Sequence, residues 1–130
     1  MFSHVMLGAN DVAASKRFYD ATLGALGVPP GEIDVQGRAV YMHNGSRFVV
    51  RTPLDGEPAH GANGGTLGFL AASPAEVDAW HAAGLANGGT AIEDPPGERR
   101  PPDGRVLYLA YLRDPAGNKL CGFYRVLNAR

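Results

Sequence analysis

One pattern occurs twice in this chain, 62 positions apart, and it limits the available folds more than any other feature. HVMLGANDVAASKRFYDATLGALG, residues 4–27, reads as a strand, an acidic cap and an amphipathic helix closed by glycine. TLGFLAASPAEVDAWHAAGLANGG, residues 66–89, repeats the layout, so that Asp11 falls on Ser73 and Phe18 on Trp80. Each half then closes on a strand, a turn and a strand: YMHNGSRFVV in the first, YLAYLRDPAGNKLCGFY in the second. A half-sheet with one apolar face is stable only when that face is covered. The duplication therefore places the expected site between the halves.

Helix and turn chemistry fix the elements. Asp11 offers its carboxylate to the first free amides of a helix, and Val12, Phe18, Tyr19, Leu23 and Leu26 recur at helical spacing until Gly27. Ser73-Pro74-Ala75-Glu76 is a capping box with proline where its missing N–H costs nothing. Val77, Trp80 and Leu85 form the expected buried stripe of this second helix, with Gly84 and Gly88-Gly89 ending it. Residues 2–8, 32–36, 38–43 and 47–53 read as strands, and Asn44-Gly45 is a hairpin turn in which both residues need positive φ. Residues 90–93, 105–113 and 118–126 take the same places in the second half, around the Asp114–Asn118 turn. Residues 54–65 read as a linker, and 94–104, DPPGERRPPDG, as too proline-rich for regular structure. The expectation is α+β: a single domain of two βαβββ modules, about 1–58 and 62–130.

Composition removes several function classes. A net charge of −1 leaves no basic footprint for nucleic acid or an anionic membrane. The N-terminal residues lack a charged leader and a long apolar run, so neither a signal peptide nor a membrane span is expected. One cysteine, Cys121, excludes an intrachain disulfide framework. A cytoplasmic location is the expectation.

Three segments carry a resemblance to a known family: His4 with the Asp11…Ser15-Lys16-Arg17-Phe18-Tyr19 helix opening, GTLGFLAASPAEVDAWH, and the closing RDPAGNKLCGF. Together they resemble the vicinal oxygen chelate superfamily, which contains glyoxalase I, bleomycin- and fosfomycin-resistance proteins and extradiol dioxygenases. The resemblance implies strands curved into an open cup with helices outside, a ligand or metal in the cup, and commonly a homodimer. It also implies ion-holding residues on the first and last strand of each module, His or Glu, because a divalent ion needs nitrogen or oxygen donors at about 2.0–2.2 Å.

The positions so assigned are His4, Val49, Thr66 and Cys121. Relatives commonly carry His at the place of Thr66 and Glu at that of Cys121. Valine has no donor atom and neutral threonine is a poor ligand, so no metal set is expected. His43, His60 and His81 do not repair it by spacing. His4 with Cys121 is the candidate catalytic pair, as a thiolate–imidazolium couple, set against a buried inert thiol and a hydrogen-bonded interior histidine.

Strand parity completes the cup. With Cys121 facing in, Lys119, Phe123, Tyr111 and Leu109 do too; with His4, Phe2 and Met6; with Val49, Arg47, Arg51, Val40 and Met42. The candidate ligand-binding set is thus Met6, Arg47, Val49, Arg51, Thr66, Leu109, Tyr111, Lys119 and Phe123. Such a wall suits a small, partly apolar ligand with an acidic group for an arginine to grip, although Arg38, Arg47 and Arg51 could equally solvate strand ends. The expected function is binding of such a molecule without a cofactor, by sequestration or metal-free catalysis. Two alternatives stand beside it: a lyase or isomerase resembling glyoxalase I that uses zinc, nickel or iron, and a non-catalytic interaction module.

Overall fold

The computed structural model describes residues 1–126. In chain order its elements are β1 (Val5–Gly8), α1 (Val12–Gly24), β2 (Glu32–Ile33), β3 (Ala39–His43) and β4 (Ser46–Arg51), then β5 (Leu67–Leu70), α2 (Pro74–Ala86), β6 (Thr90–Arg99), β7 (Leu107–Arg113) and β8 (Lys119–Arg125). Each half is βαβββ, and each makes one mixed four-stranded sheet, ordered β1-β4-β3-β2 and β5-β8-β7-β6. The first strand of each half lies parallel to the last, and the other pairings are antiparallel.

The helix ends follow the expected chemistry. Asp11 accepts the Ala14 amide at 3.1 Å, and past the end of α1 Gly27 takes a φ of +87°, where an L side chain is strained. Ser73 accepts from the Glu76 amide while the Glu76 carboxylate accepts from Ala72, closing the start of α2. Asn44 and Gly45 both have positive φ between β3 and β4, as the hairpin requires.

Three expectations need correction. The proline-rich stretch 94–104 does not stay irregular: β6 runs through Pro95 and Pro96 to Arg99, with a register shift between Ile92 and Gly97. Proline is tolerated here because β6 is an edge strand and the shift removes ladder bonds that those residues could not donate. Gly84 does not end α2; it lies inside the helix, where a Cβ would stand 2.3 Å from Leu112 and 3.2 Å from Phe18. Its missing side chain is what lets α2 approach α1 and β7 so closely. Leu85 is exposed rather than part of the buried stripe.

One core joins the halves. Phe18, Tyr19, Tyr41, Phe48 and Val50 from the first half cluster with Ala71, Val77, Trp80, Leu112 and Leu120 from the second. Phe48 and Phe69 meet edge to face, their centroids 5.6 Å apart. The Tyr19 hydroxyl donates to Asp114 Oδ2 at 2.5 Å, and Asn118 Nδ2 donates to the Gly8 carbonyl at 2.9 Å. These contacts use even-numbered residues of β7 and β8 and the helix-facing residues of β4. The odd-numbered residues of β7 and β8 stand on the other face.

Candidate functional site

The parity argument holds on the second sheet. Leu107, Leu109 and Cys121 form a small buried cluster of their own, with Tyr111 and Phe123 packed on it. Register explains it: Tyr111 lies opposite Cys121, Leu109 opposite Phe123, and Arg113 opposite Lys119, while Gly68 of β5 flanks Cys121 from the other side. Since these residues alternate with core residues Ala110, Leu112 and Leu120, they share one face of the sheet.

Polar groups gather at one end of that face. Lys119 Nζ lies 4.7 Å from the Tyr111 ring centre and pairs with the Glu93 carboxylate. Glu93 is not among the residues that strand parity places in the cup. In the structure Glu93 has a φ of +58°, at the irregular part of β6, and that turn of the backbone brings its carboxylate to Lys119. The positive φ of a non-glycine residue leaves no trace in residue type, so the sequence held no signal for it.

The proposed catalytic pair is not brought together. His4 precedes β1, is exposed, and its Nδ1 lies 2.7 Å from the Ser3 hydroxyl. Cys121 is buried, with its sulfur 3.6 Å from the Gly122 carbonyl. Burial pushes the thiol up to about 11, against the pull of the neighbouring Tyr111 hydroxyl. Among the described residues no histidine is hydrogen-bonded to Cys121. A resting thiolate nucleophile has no support in this geometry.

The expectation of one cavity collecting all candidates is also corrected. His4, Arg47 and Thr66 line a cleft of about 760 Å³ between the two sheets, together with Leu23, Tyr41, Phe48 and Phe69, which belong to the helix-facing core side. Thr66 and Lys119 also line a second hollow, of about 620 Å³, with Arg113, Gly117 and the 61–65 loop. Met6 and Val49 lie beside one another in the β1–β4 register; Val49 is fully buried, whereas Met6 and Met42 are exposed. Arg51 donates to the neighbouring Thr52 carbonyl. The physical reason for the split is that a strand's alternation fixes which face a side chain takes but not how two faces are set relative to each other.

The residues at the metal positions do not make a binding set. Val49 has no donor atom, Thr66 is neutral, and Cys121 resists the deprotonation that ligation requires. Among the described residues no group of three or more His, Cys, Asp or Glu could hold an ion. No helix is long and apolar enough to cross a membrane.

Comparison with known proteins agrees with this architecture. The family described as Glyoxalase/Bleomycin resistance protein/Dioxygenase superfamily matches residues 1–121. The structure of a glyoxalase/bleomycin resistance protein from Albidiferax ferrireducens is 55% identical, with a TM-score of 0.91, covering 96% of this chain and 99% of that one. A lactoylglutathione lyase from Agrobacterium tumefaciens is 26% identical with a TM-score of 0.61, covering 95% and 92%. A family enzyme from Burkholderia phytofirmans shares the fold at 19% identity and a TM-score of 0.70, covering 93% and 95%. No curated protein sequence matches the chain.

Proposed function

Because the chain belongs to the glyoxalase/bleomycin resistance protein/dioxygenase superfamily, we propose that it binds a small, partly apolar organic molecule on the concave face of its second sheet, without a resident metal. The observation that carries this reading is the separation of the Leu109–Tyr111–Cys121–Phe123 cluster from the main core. These side chains make an apolar and aromatic floor that the fold's own core does not use. Open space lies beside the floor, since a Cβ added to Gly68, next to Cys121, would meet nothing within 4 Å. An apolar floor with a few placed polar groups is the usual make-up of a small-molecule site.

Sequestration needs nothing more than this. A metal-free isomerisation or elimination would need a proton acceptor, and the Glu93 carboxylate at the polar end of the floor is the group placed for it. A homodimer is part of the proposal: Met6, Met42 and Leu70 are exposed apolar side chains on sheet faces away from the shared core, a surface suited to a second copy.

A metal-dependent lyase has one observation in its favour, the likeness to the lactoylglutathione lyase structure. The chain's own residues oppose it, since His4 is the one strong donor among the four positions.

An NMR titration with benzyl alcohol, a neutral aromatic probe, tests the location. Amide shifts are expected to cluster on residues 107–111 and 119–123, which do not line the cleft. Shifts centred instead on Leu23, Tyr41 and Phe48 would move the site to the cleft between the sheets and overturn the assignment.

A further inference from the structure

The residues of the concave face are ordered by polarity along the strands, and the order specifies a ligand. At one end Arg113 and Lys119 face each other across β7 and β8. One pair further along stand Tyr111 and Cys121, and beyond them Leu109 and Phe123, with Leu70 beside Phe123 on β5. The pairs are two residues apart, so the run from the cationic pair to the Leu109–Phe123 pair spans about 13–14 Å. The face passes from charged to aromatic to aliphatic over the length of a small amphipathic molecule.

The cationic end is a hollow at the sheet's end, with an exposed Arg113 and a half-buried Lys119 on its wall. It is lined by Gly61, Ala62, Asn63, Gly64, Gly65 and Thr66 together with Arg113, Gly117 and Lys119. The 61–65 stretch reads in sequence as slack linker, but it is docked against the closing turn. A Cβ on Gly61 would stand 2.3 Å from the Gly117 carbonyl oxygen, so backbone meets backbone there. Arg113 Nη1 donates to that same carbonyl at 2.8 Å, which holds the guanidinium beside the loop. The amides of residues 61–64 have no backbone or side-chain acceptor among the described residues. Glu93 takes one of the three Lys119 donors, and Arg113 makes no ion pair among the described residues. With one carboxylate and two cations, the hollow keeps a positive charge.

We propose that this hollow binds the anionic group of the ligand, a phosphate, phosphonate or carboxylate, while the ligand's apolar body lies over Tyr111, Cys121 and Gly68 toward Phe123. Arg113 and Lys119 supply charge-assisted hydrogen bonds, and the Thr66 hydroxyl and the loop amides stand at the rim as neutral donors. The ligand class is therefore an aromatic or short-chain aliphatic acid. This assignment rests on the reading of the concave face as the binding surface, and it adds the anion site and the direction in which the ligand lies.

Calorimetric titration with phenylphosphonate, with inorganic phosphate and benzyl alcohol as partial probes, tests it. Phenylphosphonate is expected to bind more tightly than either. Arg113→Gln and Lys119→Gln are each expected to weaken it roughly tenfold or more, the scale of one charge-assisted hydrogen bond, a much larger loss than either variant causes for benzyl alcohol. Arg113→Lys should recover part of the loss. Gly68→Ile, which fills open space, should abolish benzyl alcohol and phenylphosphonate binding and spare inorganic phosphate. If both charge variants bind phenylphosphonate as the native protein does while Gly68→Ile still blocks it and the benzyl alcohol shifts stay on residues 107–111 and 119–123, the anion site is wrong and the concave-face reading stands. If Gly68→Ile blocks nothing, or phenylphosphonate does not bind at all, the proposal falls with the reading beneath it.

Discussion

Cys121 shows how much one residue's surroundings can change its role. In sequence it is the one thiol and the partner offered to His4; in the fold it is a buried side chain opposite Tyr111, clustered with Leu109 and Phe123. With the thiol moved from an ordinary 9.0 up to about 11 by burial, the native protein holds about a hundredfold less thiolate at pH 8 than the unfolded chain. Alkylation by iodoacetamide at pH 8 should therefore be far slower in the native protein than in urea. A native rate equal to the unfolded one would place the thiol at the surface. The sign for stability follows from the same shift. The unfolded chain loses this proton first, so the thiol's contribution is complete below about pH 9 and is lost as pH rises through about 11. Asp20 works the other way. Burial opposes its charge, but hydrogen bonds from Lys16, the Gly31 amide and Tyr41 outweigh it and hold the carboxyl below its usual range. Its contribution is present above the ordinary carboxylate value and fades as acid protonates it.

At the scale of elements, the tie between α1 and the β7–β8 hairpin is the joint that sets the two halves. Asp114 accepts from the Tyr19 hydroxyl, from the Ala116 and Asn118 amides, and from Asn118 Nδ2. The turn and the helix thus share one buried carboxylate. Tyr19→Phe removes a single donor and leaves the other three, and it should lower the unfolding free energy by about 1.5–3 kcal/mol, as loss of a hydrogen bond to a charged group does. Urea unfolding measures this, and a loss below about 0.5 kcal/mol would mean that the Tyr19–Asp114 hydrogen bond does not hold the halves together. Both helices and the hairpins were legible in the sequence because their signals are local. Asp11, Ser73-Pro74, Asn44-Gly45 and Gly27 each act through neighbouring amides or their own φ. The course of β6 was not legible, because Pro95 and Pro96 argue against a strand and only the register shift against β7 admits them. Gly84 read as a helix stop for the same kind of reason: its role is contact with Leu112 and Phe18, which are remote in sequence.

For the whole molecule, the duplication gave the fold class and the two modules, and alternation gave the face on which Tyr111, Lys119, Cys121 and Phe123 stand. What alternation could not give was the relation between the halves. His4 and Arg47 fell into a cleft shared with core aromatics, while Lys119 joined Arg113 and a glycine loop that sequence had read as linker. Glu93 was missed because its placement depends on a left-handed backbone, whereas Arg113, two residues past Tyr111 on the same strand, lay within reach of the same alternation. The family's architecture is kept, and at the four positions where the resemblance places ion donors stand His4, Val49, Thr66 and a buried Cys121, which we propose hold no resident ion. Calorimetric titration of the purified, chelator-treated protein with zinc and with nickel tests that claim most directly. Binding should be weak and substoichiometric for both ions, and the heats should be the same for His4→Ala. One ion bound per chain at micromolar affinity or better, and released by His4→Ala, would contradict it.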